Sequence, residues 1–241
     1  MNQFVHLDDI ALPDHPPVLE ILDTSRKSPE ADHADLCASA LLDMRHLRSE
    51  ECRAQVNESM LFAQLAADAS CNKFFDPRGW IDQFSQVLEL LGWRILQEES
   101  HGKREISNVT NWSDLALKAY EFGYAGPGRE AAQVLSAART LDADTPSVKL
   151  WNAHSSDADR GLFLLGTAHE DASGDPILAL MVSSFQVSHR TKGILDWHTT
   201  GHWGDAFLVM ALNTDLYRNF RHQVTQRLGA RMSTDVNKIA L

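Results

Sequence analysis

Three stretches of this 241-residue chain are apolar at every position: Leu162-Phe163-Leu164-Leu165, Ile177 through Val182, and Ala206 through Leu212. A strand with one wet face alternates with period two. Unbroken short runs rich in Val, Ile, Leu and Phe therefore predict strands covered on both faces. The connections set their direction, because His169 through Pro176 is a polar turn and Thr191-Lys192-Gly193 a tighter one. A parallel crossover needs roughly a dozen residues or more, so residues 148 to 212 read as an antiparallel meander with helices on both sides in sequence. Past Val182 the second strand alternates, with Phe185 and Val187 on one face and Ser184, Gln186 and Ser188 on the other. A short fourth strand is expected around Ile194 to His198.

The rest of the chain supplies the cover. From Asp32 onward Leu36, Ala40, Leu41, Met44 and Leu47 follow helical spacing, with Asp32 or Asp35 as N-cap. Val56, Met60, Leu61, Ala63, Leu65 and Ala67 continue the pattern, as one long helix or as a pair broken at Ser49. After the turn Asp76-Pro77-Arg78-Gly79, a helix carries Trp80, Ile81, Phe84, Val87, Leu88 and Leu91 on one face and ends at Gly92. Trp93 through Gln97 reads as an edge strand, followed by a polar loop. Ser113 caps a helix bearing Leu115, Ala116, Ala119, Tyr120 and Phe122, and after Gly126-Pro127-Gly128 a second bears Ala131, Val134, Leu135, Ala138 and Leu141. These two form a helical hairpin. A last helix, capped by Asn213 or Thr214, carries Leu216, Phe220, Val224 and Leu228 and closes at Gly229. The segment after it has no pattern.

Pro13, Pro16, Pro17 and Pro29 make residues 1 to 31 an extended arm, either packed on the body or a removable leader. No flexible linker divides residues 32 to 241, which read as one domain. The expected class is α/β of the α+β type, an antiparallel meander flanked by helical hairpins.

A formal net charge of -11 repels phosphate backbones at long range and argues against nucleic acid as partner. Cys37, Cys52 and Cys71 are odd in number, lie on segments read as helical, and lack metal spacing. They read as small buried residues, with a reactive or acylated thiol as the second reading. Residues 1 to 9 lack a basic start and a long apolar segment, and no run is long enough to span a bilayer as a helix. The protein is thus expected to be made soluble, with any release by an unconventional route.

Glycine-rich phosphate loops, Gly-x-Ser-x-Gly, His-Glu-x-x-His and Cys-x-x-Cys are all missing, which removes the usual sequence reasons to propose an enzyme. The densest candidate site is Asp196-Trp197-His198-Thr199-Thr200-Gly201-His202-Trp203, with His189 and His154 as further members. Converging imidazoles and a carboxylate could bind zinc or iron for a metal-dependent enzyme. The plainer reading is a hairpin loop of exposed histidines with the tryptophans packed on the sheet edge. Trp197 and Trp203 also have the amphipathic shape of interfacial anchors, and with Phe185 and Val187 they are the candidate lipid contacts. His189, His198 and His202 would gain charge near pH 6, a candidate acid trigger.

A family is suggested by the order helical hairpin, Lys149-Leu150-Trp151, polar loop, Leu162 to Ala168, Gly-containing turn, Ile177 to Val187, Lys192 to Leu195. This order resembles the Cyt delta-endotoxin fold, shared by volvatoxin and the Evf type of bacterial virulence factor, over roughly residues 56 to 229. Leu61 through Ala67 with Asp76-Pro77, Trp80, Val87-Leu88, Leu91-Gly92-Trp93 and Gln97 is similar to little-characterised bacterial and fungal proteins of the same group. So is Leu212 through Tyr217 with Arg221, Val224 and Leu228-Gly229. The resemblance implies a toxin-like cytolysin or insect-directed virulence factor whose partners are target-membrane lipids, as a pore former or a homo-oligomer. No cofactor is implied beyond a bound fatty acid, in a protein that would instead carry lipid between sheet and hairpins. The Evf type bears an acyl group on a cysteine in its C-terminal half, and no cysteine follows Cys71 here.

Overall fold

The computed structural model describes residues 6–14, 33–111, 114, 128–189 and 198–240. Its strands are β1 (His33–Cys37), β2 (Ala40–His46), β3 (Trp93–Asn111), β4 (Ser156–Asp157), β5 (Arg160–Glu170), β6 (Pro176–His189), β7 (His198–Leu212) and β8 (Val236–Ala240). Its helices are α1 (Glu50–Ser70), α2 (Pro77–Leu90), α3 (Gly128–Arg139), α4 (Pro146–Ser155), α5 (Thr214–Leu228) and the short α6 (Arg231–Thr234). The strand order is β3-β7-β6-β5-β2-β1-β8, with β4 paired to β5. The expected antiparallel meander is β5-β6-β7, and the parallel pairing of β2 with β5 makes the whole sheet mixed.

The apolar runs divide by period two between two cores. Leu162, Leu164, Leu178, Leu180, Leu208 and Met210 meet α1, α2 and α5. Phe163, Leu165, Ala179, Met181, Phe207 and Val209 meet α3 and α4 on the other face. Both faces are dry, which is why the runs do not alternate. α1 is buried along most of its length, and its polar side chains are tied down individually. Asn57 donates to Asp35 (2.7 Å), Ser59 accepts from the Trp93 indole (3.0 Å), and Glu58 accepts two guanidinium bonds from Arg221 and one from the Tyr217 hydroxyl.

Four expectations are corrected. Residues 33 to 46 form strands β1 and β2, not a helix. Their turn is made by Ala38 at φ +48° and Ser39, without the glycine or asparagine that marks such turns. Residues 98 to 111, read as a polar loop, continue β3, and bulges against β7 accommodate them. Residues 148 to 155 belong to helix α4, capped by the Thr145 hydroxyl with Pro146 at its start. Residues 198 to 203 are strand, so the expected hairpin loop gives way there to one long β7, and residues 194 to 197 of the expected fourth strand lie outside the described residues. The patternless C-terminal segment supplies β8, which pairs with β1. Of the arm, residues 6 to 14 lie against α5 and α6: Leu7 is buried, and Arg227 and Arg231 donate to the Leu7, Ile10 and Pro13 carbonyls. The expected helix over residues 115 to 122 lies outside the described residues.

Candidate functional site

The strand register defines an end of the sheet where three strands run past β5. β5 begins at Arg160, opposite Gln186. β6 runs on to His189, while β7 reaches back to His198 and β3 out to Asn111. The extension is three strands wide and has no β5 beside it. It holds several of the residues singled out from the sequence: Val187 stands opposite Thr199, His189 opposite His198, and His202 opposite Glu105, while Phe185 and Trp203 face each other at its base, level with Gly161 of β5. Trp197 lies outside the described residues.

Phe185 is 4% exposed and packs within the second core, across from Gly161. A Cβ at 161 would lie 2.3 Å from the ring, so glycine there is what admits the phenyl group. To touch lipid, Phe185 would have to leave this seat. Beside it a hollow of about 90 Å³ is lined by Phe74, Pro77, Arg160, Ser184 and Gly204. The loop between α1 and α2 closes over this end of the sheet, and it carries a feature that periodicity did not reveal. Phe75 is 62% exposed, and the Arg160 guanidinium lies over its ring at 4.2 Å.

Behind that loop sits a buried polar hub. Lys73, only 5% exposed, donates to Asp68 Oδ2 (3.1 Å) and to Ser39 Oγ (2.9 Å), and Ser39 donates to the His154 carbonyl (2.8 Å). Asp68 Oδ1 takes the Trp80 indole N–H at 2.7 Å. Burial lowers the pKa of Lys73, and Asp68 works against that shift. The hub borders an open hollow of about 440 Å³ lined by polar groups including Asp68, Lys73, His154 and Asp157. The Lys73–Ser39 contact has the partners of a nucleophile and its base, but Ser39 is fully buried and gives its proton to a carbonyl. The hub therefore reads as a clamp joining α1, α2, α4 and the β1–β2 turn.

Cys37 and Cys52 are buried and Cys71 is half-buried, all as free thiols. Burial raises each pKa, most at Cys37, where Asp35 and Asp235 add to it. None has the electropositive surroundings that activate a thiol. Among the described residues no three His, Cys, Asp or Glu side chains are grouped to hold a metal ion, and no helix is long and apolar enough to cross a membrane.

No family model matches the chain, and no curated protein matches it. Solved structures do. The chain is similar to the Evf virulence factor at 13% identity and a TM-score of 0.38, over 80% of this chain and 79% of that one. It is similar to a delta-endotoxin at 13% identity and a TM-score of 0.40, over 86% of this chain and 96% of that one.

Proposed function

We propose that this chain is a non-enzymatic, toxin-like protein that binds the surface of a target membrane through the end of its sheet where β3, β6 and β7 run past β5. The observation that carries the reading is the register, which runs β3, β6 and β7 beyond β5 and gathers Val187, His189, His198 and His202 there, with Trp203 at the base of the extension, level with Gly161 of β5. Toward this extension β6 alternates polar and apolar residues from Ser184 to Ser188, unlike the doubly buried run Ile177 to Val182 behind it. Amphipathic aromatic residues favour the boundary between headgroups and acyl chains. The charge of -11 opposes approach to anionic lipid, and protonation of His189, His198 and His202 reduces it locally.

The test is co-sedimentation with, and dye release from, phosphatidylcholine vesicles with and without phosphatidylglycerol, at pH 7.5 and 5.5. Binding that strengthens at the lower pH is expected. A protein that stays in the supernatant under every condition would remove the membrane reading.

A further inference from the structure

We propose, on the membrane-surface reading above, that the loop between α1 and α2 is the lipid anchor, with Phe75 entering the interface and Arg160 taking a headgroup phosphate. A single exposed apolar side chain is ordinary on a protein surface. What sets Phe75 apart is how it is held. Its own N–H donates to the Asn72 carbonyl (3.1 Å), as does that of Asp76 (2.8 Å), and the Phe74 N–H goes to the Asn72 side chain (3.0 Å). Asp76 then caps α2 through the Gly79 N–H. Under the loop, Lys73 is fixed to Asp68 and Ser39. The backbone that presents the ring is thus anchored at both ends and from below, so little ordering entropy is lost when it binds.

Arg160 comes from a different element, the first residue of β5, and reaches across to the loop. Nη1 donates to the Phe74 carbonyl (3.1 Å), and the guanidinium lies over one face of the Phe75 ring at 4.2 Å. Asp159 is 4.0 Å from Nε and is itself engaged by Gln186. Among the described residues, Phe74 is the hydrogen-bond acceptor that Arg160 has, which leaves further N–H groups of its fork for a ligand. A planar guanidinium suits the paired oxygens of a phosphate. An aromatic ring beside it suits the boundary just below the phosphates. The two groups stand together on the same end of the sheet as the three-strand extension.

The test uses the full chain and phosphatidylcholine vesicles with and without phosphatidylglycerol. Phe75→Ala should lower vesicle partition about tenfold, the factor given by ~1.4 kcal/mol of interfacial burial. Phe75→Trp should keep it, and Arg160→Lys should lower it several-fold. Because Phe75 is mostly exposed, its replacement should leave the thermal midpoint in place. Wild-type binding that persists unchanged in Phe75→Ala would overturn the anchor and leave the membrane reading standing. Absence of wild-type binding would overturn both.

Discussion

Gly161→Ala tests the packing at the base of the three-strand extension. Gly161 and Phe185 are directly opposed in the β5–β6 register, and an added methyl carbon would lie 2.3 Å from Cζ and 2.6 and 2.8 Å from the two Cε atoms. Carbon atoms pack at about 3.5 to 4 Å, so the ring must retreat by ~1 Å or more. It is not entirely trapped, since the hollow of about 90 Å³ adjoins it. Overpacking of this kind costs about 1 to 3 kcal/mol, and the adjoining space puts the expected value near ~2 kcal/mol. Phe185→Ala alone should cost about 3 to 4 kcal/mol, because it empties a buried site. In that background the methyl group meets no ring and its cost should vanish. Urea unfolding of the four proteins in the double-mutant cycle should therefore give a coupling of ~2 kcal/mol. A single-mutant cost under ~0.5 kcal/mol, or simple additivity of the two changes, would refute the close approach of ring and backbone.

Lys73→Met leaves Asp68 with the Trp80 indole and deprives Ser39 of its donor. Stability at pH 7 should fall by about 3 kcal/mol in urea titrations, as expected when one member of a buried ion pair is removed. A fall below ~1 kcal/mol would mean that the clamp contributes little. For Tyr217, burial raises the hydroxyl pKa above its ordinary 10.0, and Glu58 adds to the shift. The folded state holds a proton that the unfolded chain releases, so this contribution is complete below pH 10.0 and is lost as pH rises above it. Tyr217→Phe should flatten the alkaline loss of stability, measured by thermal midpoints between about pH 9 and 11. An unchanged alkaline slope would show that Tyr217 is not its source.

The β5-β6-β7 meander was legible because burial on both faces writes itself into composition: Leu162 to Leu165 and Ile177 to Val182 have no wet side to reveal. Helices α1, α2 and α5 were legible from apolar periodicity, and α5 also from its cap Asn213; Ser49, read as a break, and Asp76, read as part of a turn, prove to be the caps of α1 and α2. The strands β1 and β2 were not, because Ala40, Leu41 and Met44 are good helix formers at helical spacing. Tertiary context overrode that preference. The segment is inserted beside β5, with Asp35 matched to Asn57 and Asp43 to Arg45. For α4 the signal is Thr145-Pro146, an N-cap followed by proline at the first helical position, which outweighs the strand-like apolar residues after it. At the site, the gathering of Phe185, Val187 and the histidines follows from register, which a single sequence does not encode. Phe75 and Arg160 lie 85 positions apart, on elements whose meeting no periodicity announces.

The two cores also bear on how a membrane could be disturbed. A barrel enclosing water presents one face of every strand to the channel, so its strands alternate. Turning the central strands to that use would expose Phe163, Leu165, Met181, Phe207 and Val209, now buried against α3 and α4. At about 1.5 to 3 kcal/mol for each large side chain, wetting that face costs on the order of 10 kcal/mol per chain. The opposite face is no better, since Leu164, Leu180 and Leu208 line it. Among the described strands only β6 past Val182 alternates, and it ends at His189, too short a stretch to span a bilayer, which takes about nine to eleven residues. Leakage caused by this protein should then come from surface wedging, graded with the amount bound. In planar bilayers the expected trace is irregular and without a fixed step. Unitary conductance steps of constant size would show that the central strands do line a channel, and would mean that the energy cost worked out here is met by contacts between copies.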